Sequence, residues 1–560
     1  MNTLEDDLTA MVPRSPCNLS NPPQRGGIDA VEEFHQMVDS RIYDLECEIR
    51  ALKTRRNAAT FTCRLPAELL SRIFLALSHI SSQSMKDPVH KRVDWLICTF
   101  VCSRWRDVAL GCAELWTTPV FAVPALAETM LARSKDAPLR IRFNGKVEQP
   151  SEALFTSLSQ LARLLSVELV EVTTGSSQIQ EMLSSWTGRA PLLTTLHLHN
   201  ATTQATTHTL PIDFLQGGTP SLKILLLSMW GNTWENLPIR PTITYLVIAA
   251  NPTNHPRRPT QGAFVSCIKR LPFLEVLNLN QTLPDRDSAV VVTSDCLHLP
   301  KLRALSLGDS VVGMNIFFRL LHVPDRTKVV LHFTIAGDID MLEETLKNTK
   351  IFATKEDGSF KSPRKSVRSL MLHTGSTMKV DLWSHDRRLI SPTVAPDLCL
   401  NFYGDFRHPN RPLFRLLSHF DLKSLQTVHV NSFGNMGKNQ WRMSLGQLPN
   451  LEAVVIEEGP LQEWLEVLRY DPPTGSQGNW TEDEERHFPG LINMTFWAMD
   501  LGKEKGETLR LLVQVLKERT TTSPSFKMDV LFYKCPDPNN SYEKLKQATE
   551  GLNVNWSFFP

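Results

Sequence analysis

The sequence predicts an α/β protein: a helical N-terminal module followed by an irregular solenoid, a curved parallel sheet with outer helices and loops. Two observations predict it. Between residues 61 and 118 apolar residues recur at helical spacing in short segments, and from about residue 151 onward a strand-length motif, L-x-x-L-x-L, keeps returning. The 560 residues exceed what one compact core usually holds, which also favours a repeat architecture. Apolar residues at 42% and charged residues at 21% are ordinary for a globular chain, and a formal net charge of +1 supplies no overall field for nucleic acid or an anionic membrane.

Residues 1–27 mix Pro13, Pro16, Pro22, Pro23, Gly26 and Gly27 with small polar residues, and read as a disordered lead. Early acids replace the basic-then-apolar order of a secretory signal, and no run of about twenty apolar residues occurs. The expectation is a cytoplasmic and/or nuclear location. Residues 28–60 read as a helix, with Val38, Ile42, Leu45, Ile49 and Leu52 spaced four, three, four, three in a short heptad seam that extends back toward Val31 and Phe34. The seam has two readings: homodimerisation through residues 29–56 as a coiled coil, or packing of one helix against its neighbours.

Residues 61–118 form the helical module. Leu65-Pro66 places a proline where a first-turn residue has no helical N–H to lose, and Leu69, Leu70, Ile73, Phe74 and Leu77 continue as one stripe. After a polar run, Ser78 to Arg92, the pattern resumes with Trp95, Leu96, Phe100, Val101, Trp105, Val108 and Ala109, and closes on Leu115-Trp116. Taken singly, such residues are most often core. The ordered set Leu65-Pro66-Ala67-Glu68-Leu69-Leu70, Ile73-Phe74, Val101-Cys102-Ser103-Arg104-Trp105-Arg106 and Leu115-Trp116 resembles an F-box of basidiomycete type. The resemblance implies docking on the Skp adaptor of a cullin-based ubiquitin ligase. Carried over position by position, it places Leu65, Pro66, Leu69, Leu70, Ile73, Phe74, Val101 and Trp105 in that contact. The Ser78 to Arg92 run departs from the family by lengthening the link between the two helical parts.

Residues 119–150 read as a connector, with prolines around a short helix and a strand at Leu139 to Phe143. Residues 151–560 carry the repeat. The motif begins at Leu193, Leu222, Ile243, Leu274, Leu302, Val367, Leu425, Leu451 and Leu491, at intervals of 29, 21, 31, 28, 65, 58, 26 and 40 residues. Seven of the nine have a proline two residues earlier, as in PLLTTLHL and PKLRALSL. This resembles irregular leucine-rich repeats. Each unit would give one short parallel strand with its apolar side chains inward, and no unit buries that face without neighbours. Helices are expected at Ala153 to Leu169, Gln178 to Trp186, Ile316 to His322, Met341 to Asn348, Leu461 to Tyr470 and Glu507 to Glu518. The repeat asparagine is mostly missing, so the turns need other hydrogen-bond partners. Lys355 to Arg368, with Ser362-Pro363, and Asp471 to Arg486 read as solvated loops; Met528 to Tyr533 and Trp556 to Pro560 read as a strand and an end cap.

No phosphate loop, nucleophile elbow, metalloprotease motif or paired carboxylates in a cleft context stand out, so the expectation is a non-enzyme without cofactors. Ten cysteines lack CxxC pairing and read as reduced and mostly buried, Cys98, Cys102 and Cys399 among them. His197 and His199 alternate on one strand with His208 further on, and read as solvent-facing rather than metal-binding. By the same alternation the concave surface would present Thr195, His197, His199, Val276, Asn278, Asn280, Ser369, Met371, His373, Thr427, His429, Asn431, Asn493, Thr495 and Trp497, a neutral surface suited to protein. The F-box resemblance then implies a substrate-recognition subunit with a protein target on the repeats; the alternative is a scaffold of repeats that binds protein without ligase work.

Overall fold

The computed structural model describes residues 28–81, 89–172, 177–200, 210–230, 234–250, 258–284, 297–334, 339–354, 364–374, 377–386, 394–403, 410–431, 438–457, 461–469, 487–499, 506–521, 527–537 and 540–559. The lead at 1–27, part of the 78–92 run, His208, Ser362-Pro363 and the 471–486 loop lie outside the described residues. The chain divides into two compact units, Met1–Ala137 and Pro138–Pro560. The boundary falls inside the stretch read as a connector.

The first unit is helical: α1 Ile28–Ala58, α2 Ala67–Ser81, α3 Val89–Val93, α4 Cys98–Val101, α5 Ser103–Gly111 and α6 Pro124–Arg133, with 3-10 turns at Thr62–Arg64, Asp94–Ile97 and Ala113–Trp116. Pro66 stands just before α2, and its carbonyl accepts from the backbone N–H groups of Leu69 and Leu70. A core of Leu70, Phe74, Trp95, Cys98, Ala109, Leu115, Trp116, Val120 and Met130 holds α2 to α6 together. Trp95 and Trp116 meet edge to face at 5.0 Å, and the Trp116 indole N–H donates to the Ala109 carbonyl at 2.9 Å. That bond satisfies the polar end of a side chain whose ring is fully buried.

The second unit is built on strands β1 Leu139–Asn144, β2 Leu164–Val172, β3 Thr195–Asn200, β4 Ile224–Ser228, β5 Tyr245–Ala249, β6 Val276–Asn280, β7 Leu297–His298, β8 Ala304–Asp309, β9 Leu321–His322 and β10 Lys328–Thr334. They continue as β11 Ser369–Thr374, β12 Thr377–Trp383, β13 Leu398–Tyr403, β14 Thr427–Asn431, β15 Ala453–Glu457, β16 Asn493–Trp497, β17 Met528–Tyr533 and β18 Val554–Phe559. Between them lie α7 Glu152–Ser159, α8 Ser177–Ser184, α9 Gln261–Lys269, α10 Val311–Leu320, α11 Ile339–Thr349, α12 Asn410–His419, α13 Lys438–Ser444, α14 Leu461–Leu468, α15 Gly506–Thr521 and α16 Ser541–Ala548. Among the described residues sixteen strands form one sheet in the order β1-β2-β3-β4-β5-β6-β8-β10-β13-β12-β11-β14-β15-β16-β17-β18, while β7 and β9 pair separately.

All nine motifs become strands of this sheet, and all three apolar positions of each are buried, from Leu193, Leu196 and Leu198 to Leu491, Met494 and Phe496. The strands stack in register, Leu196 beside Leu225, Leu246, Leu277 and Leu305. Hydroxyl and amide side chains stand in for the missing repeat asparagine: Ser221 donates to the Pro191 carbonyl, Thr242 to Leu222 and Asn450 to Lys423, each at 2.7 Å. Each reaches the unit before it, just after the motif proline, so the residue between proline and leucine ties neighbouring units together.

Two expectations need correction. The helix read over Ala153 to Leu169 stops at Ser159, and Leu164–Val172 is strand β2. Its Leu164, Val167 and Leu169 are buried against β1 and β3, and sheet pairing overrides the helical spacing. The helix read over Ile316 to His322 begins earlier, at Val311, where the Ser310 hydroxyl accepts from the Gly313 N–H, and it ends at Leu320. Within the 58-residue interval the chain reverses after β11, and β12 runs antiparallel to both β11 and β13.

Asp397 closes that reversal. Its carboxylate accepts from Lys328 at 2.9 Å, Lys365 at 3.0 Å, the Ser384 N–H at 2.8 Å and the Ser384 hydroxyl at 2.7 Å. It therefore ties the start of β10 and the approach to β11 to the end of β12. Burial acts to raise its pKa, but the hydrogen bonds from Lys328, Ser384 and Lys365 outweigh it and hold the carboxyl well below the usual carboxylate range. A carboxylate depressed on folding contributes stability above its unfolded pKa, near 4, and loses it as pH falls toward the folded value. Asp397→Asn is expected to cost about 3 kcal/mol at neutral pH and to flatten the loss of stability below about pH 4, read by urea unfolding across pH.

Candidate functional site

Two surfaces carry the residues singled out by sequence. The first is on the helical unit. Leu70 and Phe74 are fully buried, so they belong to its private core rather than to its surface. Leu65 and Trp105 pack against that core, Trp105 lying 5.2 Å from Phe74 ring to ring. The Arg104 guanidinium donates to the Leu65 carbonyl and Arg106 to the Thr99 carbonyl, both at 2.8 Å. The Ser-Arg-Trp-Arg motif thus clamps α5 to α4 and to the approach of α2. Pro66, Leu69, Ile73 and Val101 stay exposed.

Sequence reasoning missed further members of that surface. Phe100 is 74% exposed, Ile80 69% and Ile97 64%, more than Leu69 or Ile73. Large apolar side chains left this open on a module with its own core are candidates for a partner. The signal was present: Trp95, Cys98 and Phe100 cannot all face inward on so short a turn, and Trp95 and Cys98 take the core.

The second surface is the sheet face opposite the apolar ladder. One row crosses it in register: His199, Ser228, Ala249, Asn280, Gly308, His332, Asn401, Lys379, His373, Asn431, Glu457, Trp497, Tyr533 and Phe559. The structure therefore brings His199, Asn280, His373, Asn431 and Trp497 onto one line, although they are spread over three hundred residues of sequence. His197, Asn278 and His429 stand in the adjacent row, two residues back on their strands. His429 is buried, 3.1 Å from the Glu457 carboxylate, which also accepts from Asn431 at 2.6 Å. Ser369 and Thr427 are buried as well; Ser369 donates to the His385 carbonyl and Thr427 to Asp386.

At the middle of the face lies an open hollow of about 320 Å³, lined by Asn278, Asn280, Gln281, Ser306, Gly308, His332 and Tyr403. Gly308 sits between Asn280 and His332 in the row, and a Cβ there would stand 3.0 Å from the Asn280 side-chain oxygen. The missing side chain is what opens the floor. His332 stacks on Tyr403, with Nδ1 and the phenol oxygen 3.1 Å apart. Burial pushes the pKa of His332 down, so the ring is neutral at pH 7. Burial also lowers His197, against the opposing effect of Glu168. No lining residue carries a formal charge at neutral pH, and the group set offers amides, a hydroxyl, a phenol and an imidazole for hydrogen bonding. Ser306 and Gly308 follow from the same alternation that gives Asn278 and Asn280; His332 and Tyr403 lie on β10 and β13, which lack the full motif.

At the edge of the face Trp497, Tyr533 and Phe559 make an aromatic run, the first two stacked at 4.1 Å, with the Lys534 ammonium 5.5 Å from the Trp497 ring. The Cys399 thiol lies in the same row as Asn278 and Ser306 of the hollow, beyond Val330, and burial with the nearby Asp381 pushes it up to about 12. It is no nucleophile at neutral pH.

Comparison with known families identifies the helical module. Residues 62–122 match the family model described as F-box-like. The chain carries an F-box-like domain. The match spans α2 to α5 and the closing turn that holds Leu115 and Trp116, so all of the core just described except Met130 lies within that domain. No curated protein matches the chain. Among solved structures, "Crystal structure of TLR13-ssRNA13 complex" is similar at 15% identity, with 75% of this chain and 52% of that chain covered and a TM-score of 0.29. The chain thus spans about half the length of that neighbour. The strand pairing and the recurring motif carry the fold assignment.

Core and surface of the F-box-like domain are separable by mutation. Phe74→Ala is expected to cost about 3–5 kcal/mol, and Ile73→Ala, one residue away but exposed, about 0.5 kcal/mol or less, by thermal or urea unfolding of the full chain.

Proposed function

We propose that this chain is the substrate-recognition subunit of a Skp/cullin/F-box ubiquitin ligase and performs no chemistry itself. The F-box-like domain would bind a Skp-type adaptor through Pro66, Leu69, Ile73, Ile97, Phe100 and Val101. The sheet face would hold a protein target, with the neutral hollow taking a polar segment of it. The observation that supports this most is the combination, in one domain matching F-box-like, of a closed core and exposed large apolar side chains on α2, α4 and the turn between them. The first is what a stable module needs; the second suits docking on another protein.

The features of the sheet face support target binding over catalysis. Cys399 is held as a thiol, and the hollow has no charged lining residue. A receptor of this kind contributes proximity, bringing a target to a reactive group carried by other subunits. Long polar side chains converging on a glycine floor suit a peptide backbone or an uncharged side chain.

The test is capture of a Skp-type adaptor by the full chain. The native chain is expected to retain it, and Ile73→Asp with Phe100→Asp to weaken binding at least a hundredfold without change in unfolding temperature, since both positions are exposed. Failure of the folded native chain to bind the adaptor leaves a repeat scaffold that binds protein without ligase work.

A further inference from the structure

The helix that precedes the F-box-like domain, α1, runs for 31 residues, a length of about 46 Å at 1.5 Å per residue, and buries none of its side chains. Its spacing sets a heptad register. Ile28, His35, Ile42, Ile49 and Arg56 fall at a positions, and Val31, Val38, Leu45 and Leu52 at d positions. Apart from the half-buried Val38, the apolar members of that seam stand open to solvent: Ile42 and Ile49 are each 49% exposed, Leu45 42% and Leu52 55%. A helix of this length with a continuous exposed seam is incomplete alone, because its apolar residues contribute only when covered.

We infer that the seam is covered by the same helix of a second copy of this chain, in a parallel, in-register two-stranded coiled coil. Three features point to that occupant. The seam is a narrow a/d stripe of about four heptads, the shape a single partner helix fills, rather than the broader face that docks on a globular core. Isoleucine at a with leucine at d, as at Ile42-Leu45 and Ile49-Leu52, favours two parallel strands over three or four. The flanking charges then select orientation.

In a parallel pair each g residue faces the e residue five positions on in the partner. Arg41 would meet Glu46 and Glu48 would meet Lys53, opposite charges in both cases and twice over by symmetry. In an antiparallel pair e faces e and g faces g; with the helix ends aligned Glu32 would meet Lys53 and Arg41 would meet Glu48, but Asp39 would meet Glu46, a like-charge contact that the parallel pair avoids. His35, the polar residue within the seam, faces its own copy only when the two helices are in register. Because α1 ends at Ala58 and the F-box-like match begins at residue 62, the parallel arrangement carries both F-box-like domains at the same end of the coil. The inference stands on α1 alone and does not depend on adaptor binding.

Sedimentation of the full chain over roughly 0.5–50 µM tests it, in the affinity range expected of about four heptads. The native chain is expected to sediment as a dimer at the upper end, and Ile42→Asp with Ile49→Asp as a monomer throughout, with its sheet signature in circular dichroism unchanged. Glu48 and Lys53 are five apart and do not meet within one helix, so they report only on the partner. Glu48→Lys alone and Lys53→Glu alone are expected to raise the dissociation constant about fivefold to tenfold, and the two together to restore it. A native monomer at the top of the range, a trimer, a dimer that survives the seam variant, or a charge swap that fails to restore association would each overturn the inference.

Discussion

The whole second unit depends on one constraint: the apolar face of each strand unit is buried only by the units beside it. Leu196, Leu225, Leu246, Leu277 and Leu305 lie in a row because each strand sets the register of the next. A slip of one residue anywhere would turn the ladder to solvent and the polar row inward. The polar face is a consequence of that rule. Since the period is two, burying Leu277 and Leu279 commits Asn278 and Asn280 to the opposite side, and the same step in the next strand delivers Ser306 and Gly308 beside them.

The sheet tolerates one interruption, and how it does so shows what a solenoid requires. A strand running the wrong way, β12, keeps the ladder intact through Met378, Val380 and Leu382, all buried. The difficulty is at the strand ends, where a reversal brings together backbone and side chains that no repeat provides for. Asp397 resolves it with one buried carboxylate and four donors, two of them cationic. Asp309 does similar work at the end of β8, accepting from Arg258 at 2.7 Å and from the backbone N–H groups of Leu283 and Ser310. The irregular repeat therefore depends on buried acids where a regular one relies on a recurring turn.

Much of this was legible in the sequence because it is periodic. The nine motifs gave nine strands, and the Leu-Pro, Ser-Arg-Trp-Arg and Leu-Trp signature marked the helical domain. What sequence reading missed follows from what periodicity cannot report. It cannot separate Ile73 from Phe74, adjacent on one stripe and yet half-exposed and fully buried, because which side of an apolar stripe faces the core depends on where α5 and the Trp95 turn come to rest. It read Leu164 to Leu169 as helix because the apolar residues there fit that spacing as well. It passed over β10, β12 and β13, whose Val329-Leu331-Phe333 type of alternation lacks the first leucine of the motif, and with them His332 and Tyr403 of the hollow.

The central claim is that the F-box-like domain is a docking surface and the sheet face a separate one, and hydrogen exchange of the full chain with and without a Skp-type adaptor tests it most directly. The account predicts slowed exchange confined to residues 67–101, where α2, α4 and the intervening turn carry the exposed apolar side chains, with β3 to β8 unchanged. Exchange that is unaltered across residues 62–122, or protection that appears on the sheet strands instead, would contradict it.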